Sequence, residues 1–531
     1  MSSDAHFLNA QKDPAYKWKV LGVVMMGTLM AALDSSIVNI SLPNIMADYG
    51  ASLDDIEWVI TGYMISFATL MPLTAWLRDR VGHKKLYIWS LAVFTGGSLL
   101  CGAAWSLPML IVARVIQALG GGAMTPVGMS MINDVFEPSE KGKALGYFSM
   151  GVIVGPAVGP TLGGFMTHVF GWRSIFLVNL PIGILAVILS TVFLMKDKPH
   201  EDARQPFDMG GFLFCSLFMV SFLLGVSKGE REGWTSHYIL TCWALSFVGL
   251  VGFLVVESQV KNRVVELDLF KYPVFTICLL VSAVRSVALF GAVFLLPLFM
   301  QNFMGLDEIE SGLVLLPGSV FMALLMPVAG KLGDRMGPRI LSLVGIVILA
   351  YFMWMYRTLD ANTSVWGVIE PTFVRGVGMA LLMTPVMATA LNAIPRRLSG
   401  QASSLLSLTQ QVAGSIGIAV LATVLTHRTL YHLNAMGSSM NASSTGMGNS
   451  LALLHQHALN LGYSHQAATQ VAQGLMMNNA GKAAQISGFD DAFIVGTLIV
   501  ISAFIPALFL PGKPIAQTKE NSDPSELVAA D

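Results

Sequence analysis

Apolar runs of about twenty residues recur from Trp18 to beyond Leu498, and the charged residues gather in the short segments between them. A helical run of that length matches the roughly 30 Å hydrocarbon core of a bilayer. The runs are far longer than barrel strands and do not alternate. In lipid, only helices and closed barrels satisfy the backbone. The pattern therefore predicts an all-α polytopic membrane protein with fourteen spans. Their centres fall near Val24, Ile65, Val93, Ala118, Val154, Leu185, Phe218, Phe247, Leu289, Phe321, Val347, Leu381, Ile418 and Leu498.

Charge fixes the orientation. Of the 31 Lys and Arg residues, twenty-two fall in segments on the side that holds both termini, six on the other side and three within spans. Basic residues concentrate on the cytoplasmic side of membrane proteins, so both termini are expected inside. Only 12% of residues are charged, against roughly 25% in soluble proteins. Net charge is −1 and indicates no partner; no nucleic-acid partner is expected. Cys101, Cys215, Cys242 and Cys278 all fall in spans and read as small buried hydrophobes. No short apolar core with a small-residue cleavage site opens the chain, so no cleaved signal peptide is expected.

The chain repeats itself. Leu77-Arg78-Asp79-Arg80-Val81-Gly82-His83-Lys84 follows span 2, and Leu332-Gly333-Asp334-Arg335-Met336-Gly337-Pro338-Arg339 follows span 10. Met124-Thr125-Pro126-Val127 in span 4 recurs as Met383-Thr384-Pro385-Val386 in span 12. Matching elements lie eight spans apart, which implies two related six-helix bundles with spans 7 and 8 inserted between them. Parallel repeats of this kind place a transport site at their interface. The expected divisions are 1–195 for the first bundle and 196–272 for the linkers and insert. Then come 273–426 for spans 9–13, 427–487 for an outer loop, 488–512 for span 14 and 513–531 for a cytoplasmic tail. Within the outer loop, 437–450 reads as flexible and 451–484 as able to form helices.

Candidate chemistry starts at Asp34, an ionisable residue well inside span 1, with Asn39 beyond it. A charged side chain at the bilayer centre costs roughly 2.5–3.5 kcal/mol on insertion scales. Asp34 is expected to face a wet cavity and couple proton movement to transport; a structural carboxylate is the alternative. Arg114 in span 4 is its expected partner, with Gln117 at i+3 on the same helical face. Arginine stays charged in proteins and can only bias the carboxylate. Asn39, Gln117, Thr125, Arg285 and Arg375 are expected along the substrate cavity. Arg285 and Arg375 would either bond polar groups or attract anions. Aligning the Met-Thr-Pro-Val repeats sets Phe373, not Arg375, opposite Arg114.

The loops at Asp79, Arg80, Gly82 and Lys84, and at Asp334, Arg335 and Gly337, combine an acid, bases and a turn glycine at equal spacing. They are expected to gate the inner side, with Asp79 bonding backbone N–H groups at a neighbouring helix N-terminus. Gly151, Gly155, Gly159 and Gly163 repeat every four residues in span 5, with Pro156 and Pro160 between them. This gives a smooth face for close helix approach and a hinge or seal. His455, His457 and His465 read as solvated loop residues, and no metal site is expected. Nucleotide-binding and zinc-hydrolase patterns do not occur, so transport is expected to draw on the proton gradient and to use no cofactor.

With these motifs in place, the chain resembles the major facilitator superfamily, and within it the fourteen-span drug:proton antiporters of the EmrB/QacA type. The resemblance rests on five stretches in order: Leu33–Pro43, Ala75–Lys84, Arg114–Gly122, Gly151–Gly164 and Trp172–Pro181. Ala75 and His83 depart from the Gly and Arg usual in the gating motif. The resemblance implies a proton-driven multidrug exporter of hydrophobic or amphipathic compounds in a bacterial inner membrane. It also implies a periplasmic adaptor and an outer-membrane channel as partners, docking at 427–487; a passive cap on the exit is the alternative for that loop. The runner-up is an exporter of an anionic metabolite or fatty-acid-like compound. A membrane enzyme fits poorly, because 427–487 contains no Asp or Glu. A receptor would not need two gating loops.

Overall fold

A computed structural model of the chain describes residues 14–195, 207–260, 263–360, 363–439 and 445–515, and these are helical with no strand. Most of the first linker, the centre of the outer polar stretch and most of the tail lie outside the described residues.

The first bundle comprises α1 (Pro14–Tyr49), α2 (Trp58–Val81), α3 (His83–Gly102), α4 (Leu107–Val135), α5 (Pro138–Phe170) and α6 (Asn179–Phe193). The insert is α7 (Met209–Glu232) and α8 (His237–Gln259). The second bundle holds α9 (Pro273–Phe303), α10 (Glu308–Met336), α11 (Pro338–Met355), α12 (Val365–Asn392) and α13 (Ser399–Ser439). After α14 (Thr445–Asn460), α15 (His465–Ser502) completes it. Thirteen helices among the described residues are long and apolar enough to cross a membrane. The remaining long helix is α3, whose span is short and diluted by Lys84 and Lys85 in its first turn.

Packing repeats between the bundles. In the first, α1 lies on α4, α5 and α6, α2 on α4, and α3 on α4 and α6; in the second, α9 lies on α12, α13 and α15, α10 on α12, and α11 on α12 and α15. The bundles meet along two seams, α5 with α10 and α2 with α13. The turn glycines of the two repeated loops adopt matching left-handed backbones, with φ of 83° at Gly82 and 82° at Gly337. A side chain is strained in that conformation, which explains a glycine at both positions.

The glycine face of α5 lies on α1. A Cβ added at Gly155 would sit 2.6 Å from the Ala32 carbonyl carbon, and one at Gly163 2.7 Å from Ile37 Cγ1. The basic-end turns of α5, at Gly142 and Gly146, approach α10 at Gly330, Met326 and Pro327 with the same intimacy.

The insert sits across the α2–α13 seam. Cys215 and Met219 of α7 and Phe253 of α8 pack with Met71 and Leu408, joined by Phe67 and Val412. At the end away from the repeated loops, Arg231 donates to Glu57 at 2.7 Å and Trp234 Nε1 to Thr423 at 3.2 Å. At the other end, the Glu266 N–H donates to Gln401 Oε1 at 2.9 Å.

The outer stretch differs from expectation. Both sequence boundaries, at 427 and 488, fall inside continuous helices, because α13 runs 41 residues to Ser439 and α15 starts at His465. At 1.5 Å per residue α13 is about 60 Å long, twice the hydrocarbon thickness. The reason is mutual support. Arg428 and His432 of α13 both bind Asp491 of α15, at 2.5 and 2.7 Å. Residues 437–439 and 445–450, expected to be flexible, continue α13 and begin α14.

Candidate functional site

Asp34 lies fully buried inside the first bundle, with no solvent exposure. Arg114 Nη1 donates to Asp34 Oδ2 at 2.5 Å and to Gln117 Oε1 at 2.6 Å. Gln117 Nε2 and Asn179 Nδ2 donate to Asp34 Oδ1 at 2.8 and 2.9 Å. Both amides also donate to Ser98 Oγ, at 2.6 and 3.1 Å. Arg114 Nε reaches the Val59 carbonyl at 3.3 Å, and its guanidinium lies 4.0 Å from the Tyr63 ring centroid. Five helices therefore converge on one carboxylate–guanidinium pair. α1 brings the acid, α4 the cation and an amide, α6 a second amide, and α3 a hydroxyl, while α2 brings an aromatic face and a carbonyl. Burying a charge is tolerated only with such pairing and hydrogen bonding.

The expected Asp34–Arg114–Gln117 contact is present. Asn179, Ser98 and Tyr63 were not singled out as site residues. Asn179 leaves a signal, an amide in the apolar run Phe176–Ile182; Ser98 leaves none. Asn39 does not join the cluster. It is exposed, one turn from exposed Ser35, on the opposite side of α1 from Asp34. Thr125 is half-buried.

Arg285 and Arg375 are buried in the second bundle. Arg285 donates to Ser286 at 3.4 Å, and Arg375 to Ser319 at 3.3 Å while its Nε finds no partner. Among the described residues neither forms an ion pair with a carboxylate. Phe373 packs edge-on against Phe321, at 5.2 Å between ring centroids.

At the end carrying the repeated loops, polar contacts between the bundles gather around two residues, Asp334 and Arg78. Asp334 accepts from the N–H groups of Gly142 and Lys143, in the second turn of α5 near its N-terminus, at 2.9 and 3.2 Å. Arg78 reaches Ser130 at 3.2 Å and Ser399 at 3.4 Å, with Ser399 donating onward to Asp134 at 3.1 Å. Nearby Thr74 and Ser404 hydroxyls lie 2.7 Å apart. The expected role of Asp79 at a helix N-terminus belongs instead to Asp334. Asp79 is drawn into an ion pair with adjacent Arg78. The second loop has Gly333 where the first has Arg78, so nothing competes for Asp334. Arg80 and Arg335 are exposed. Lys84 acts within its own bundle, donating to the carbonyls of Thr191 and Leu194 at 2.7 and 2.5 Å, at the end of α6. Arg339 does the same for the last helix, donating to Leu510 O at 2.5 Å. Cations suit helix C-termini, whose last carbonyls lack intrahelical partners.

Comparisons with known proteins agree with this architecture. A family model described as Major Facilitator Superfamily matches residues 24–418. Multidrug export protein EmrB of Escherichia coli (strain K12) is 32% identical over 422 residues, covering 78% of this chain and 81% of that protein. Multidrug resistance protein B homolog of Mycobacterium tuberculosis (strain ATCC 25618 / H37Rv) is 30% identical over 500 residues, covering 93% and 90%. Multidrug transporter protein MdtP of Bacillus subtilis (strain 168) is 29% identical over 519 residues, 94% of each. The crystal structure of the human organic anion transporter MFSD10 superposes with a TM-score of 0.60 at 11% identity, covering 92% of this chain and 99% of that one, a likeness of fold. With fourteen long helices among the described residues, repeated loops and a match across most of its length, the chain belongs to the Major Facilitator Superfamily.

Proposed function

We propose that this transporter is a drug:proton antiporter, exporting hydrophobic or amphipathic compounds across a bacterial inner membrane, with both termini in the cytoplasm. The observation that carries the reading is Asp34, a lone carboxylate enclosed in the first bundle and neutralised by Arg114. Protonation of Asp34 removes the charge that holds Arg114. The freed guanidinium loosens the join between α1 and α4, and that join sets how α1 presents its exposed Ser35–Asn39 face. The proton enters from outside as cargo leaves, and exits to the cytoplasm before the next cargo binds. Arg78 and Asp334 hold the inner side closed, and α5, with its glycine face on α1, carries the movement as hinge or seal.

The test is Asp34→Asn in proteoliposomes under a pH gradient. Proton-driven export should fall to background while substrate binding persists. Full export by that variant refutes coupling through Asp34.

A second reading, export of an anionic compound, is favoured by the two buried arginines without carboxylate partners. Arg285→Ala would then lose acidic cargo selectively and leave cations unaffected. The α14–α15 hairpin exposes Leu453, Leu461 and Met477. We assign it as the docking face for a periplasmic adaptor that continues to an outer-membrane channel. Deleting 451–484 should abolish adaptor co-purification, and unchanged co-purification sinks that assignment.

A further inference from the structure

Away from the repeated loops, α2 and α13 part around a cavity of ≈ 230 Å³ that the inserted helix α7 closes from the side. Met64, Ile65, Val226, Phe294 and Ile418 give it an apolar wall. One ionisable side chain lines it, Glu230 of α7. Glu230 Oε2 is shielded from solvent and accepts no hydrogen bond from any described residue. The neighbouring cations are committed elsewhere. Arg231 and Lys228 both bind Glu57, at 2.7 and 4.0 Å, and Lys228 also lies over the Trp58 ring at 5.3 Å. Three hydroxyls line it, on Thr61, Ser227 and Ser415; that of Ser415 donates to the Gln411 carbonyl of its own helix, and none donates to Glu230 Oε2. The arrangement is a largely apolar chamber with one carboxylate at its edge, whose shielded oxygen accepts a hydrogen bond from none of the lining groups.

A shielded carboxylate oxygen without a donor is costly, and a cation that brings its own apolar body would offset that cost. We propose that this cavity binds a compact organic cation, with its apolar part against Met64, Phe294 and Ile418 and its charge against Glu230. The volume suits a single-ring ammonium, or the cationic end of a longer amphiphile. Because the wall is made by α2, α7, α9 and α13, the ligand touches both bundles and the insert together. The insert thereby acquires a role beyond filling the seam. The proposal does not depend on proton coupling.

The probe is benzyltrimethylammonium, with equilibrium binding measured by calorimetry on the purified full chain at constant pH and no gradient. Glu230→Gln should weaken binding at least ten-fold, and Glu230→Asp should stay within about three-fold of the unsubstituted chain. Asp34→Asn should bind normally, which separates failure here from failure of the antiport reading. Unchanged affinity in Glu230→Gln, or no binding by the unsubstituted chain at millimolar probe, overturns the proposal. A diazirine derivative of the same cation tests the unsubstituted chain directly. Mass spectrometry should find the label on residues 61–65, 223–230, 294 or 415–422, and label confined to residues outside this lining overturns the site.

Discussion

Asp34 and Arg114 illustrate how a membrane protein keeps charge inside. The pair is worth little relative to an apolar replacement, yet breaking it leaves one buried charge alone, at a cost of about 3–5 kcal/mol. Arg114→Ala should therefore lower the thermal unfolding midpoint in detergent by several degrees. The double variant Asp34→Asn, Arg114→Gln should recover more than half of that loss, because neutral amides can replace the ion pair; strictly additive losses would contradict this account. Arg114→Lys should also lose export at least ten-fold in the vesicle assay. An ammonium cannot reproduce the planar fork that spans Asp34, Gln117 and the Val59 carbonyl while stacking on Tyr63. At this scale the sequence was partly legible. A cation within an apolar run asks for an acid, and i+3 spacing adds Gln117. Asn179 and Ser98 were not legible as partners, because a neutral side chain on α6 or α3 acquires its role only where five helices meet.

The α5 helix shows which glycines a helix needs. At Gly155 the α1 backbone leaves no space for a side chain, whereas at Gly151 the nearest α1 atom to an added Cβ is 3.6 Å away. Gly155→Val should destabilise the protein by about 1–3 kcal/mol through overpacking, and Gly151→Ala should be nearly neutral. Comparing unfolding midpoints of the two variants checks the contrast, and equal midpoints would remove the close approach as its cause. The four-residue repeat was visible in sequence, but its partner helix was not. The same limit applies to α13. Gly437, Ser438 and Ser439 read locally as flexible, yet they extend a helix that α15 braces through Asp491.

Across the whole molecule, the two bundles are latched differently at the end bearing their repeated loops. One latch is a guanidinium threaded between helices at Arg78. The other is a carboxylate set on a helix N-terminus at Asp334, where backbone N–H groups and the helix dipole both favour negative charge. Asp334→Asn keeps the shape and removes the charge, so it should shift the population toward a conformation open at this end. Spin labels at Ser139→Cys and Lys331→Cys should report a longer distance in that variant by double electron–electron resonance. An unchanged distance distribution would show that Asp334 does not hold the latch. The insert sets a further constraint, because its apolar cluster and its ties to Glu57 and Thr423 bridge the α2–α13 seam. Opening and closing along that seam must carry α7 and α8 with it.

The sequence by itself determined the helical class, the number of long helices and the six-two-six repeat. These follow from the length of apolar runs, the distribution of basic residues and motif spacing, all of which are local or periodic properties. It also determined that Asp34 needed a partner, since an isolated charge in lipid is too costly to leave unpaired. Tertiary structure alone decided which neutral groups complete that pairing, and that Asp334 rather than Asp79 meets a helix N-terminus. It also decided that Glu230, one of two acids near the end of α7, turns an oxygen into a cavity shared by both bundles. Those outcomes depend on which helix faces which across hundreds of residues. Side-chain chemistry and spacing along the chain do not encode that relation until the helices have packed.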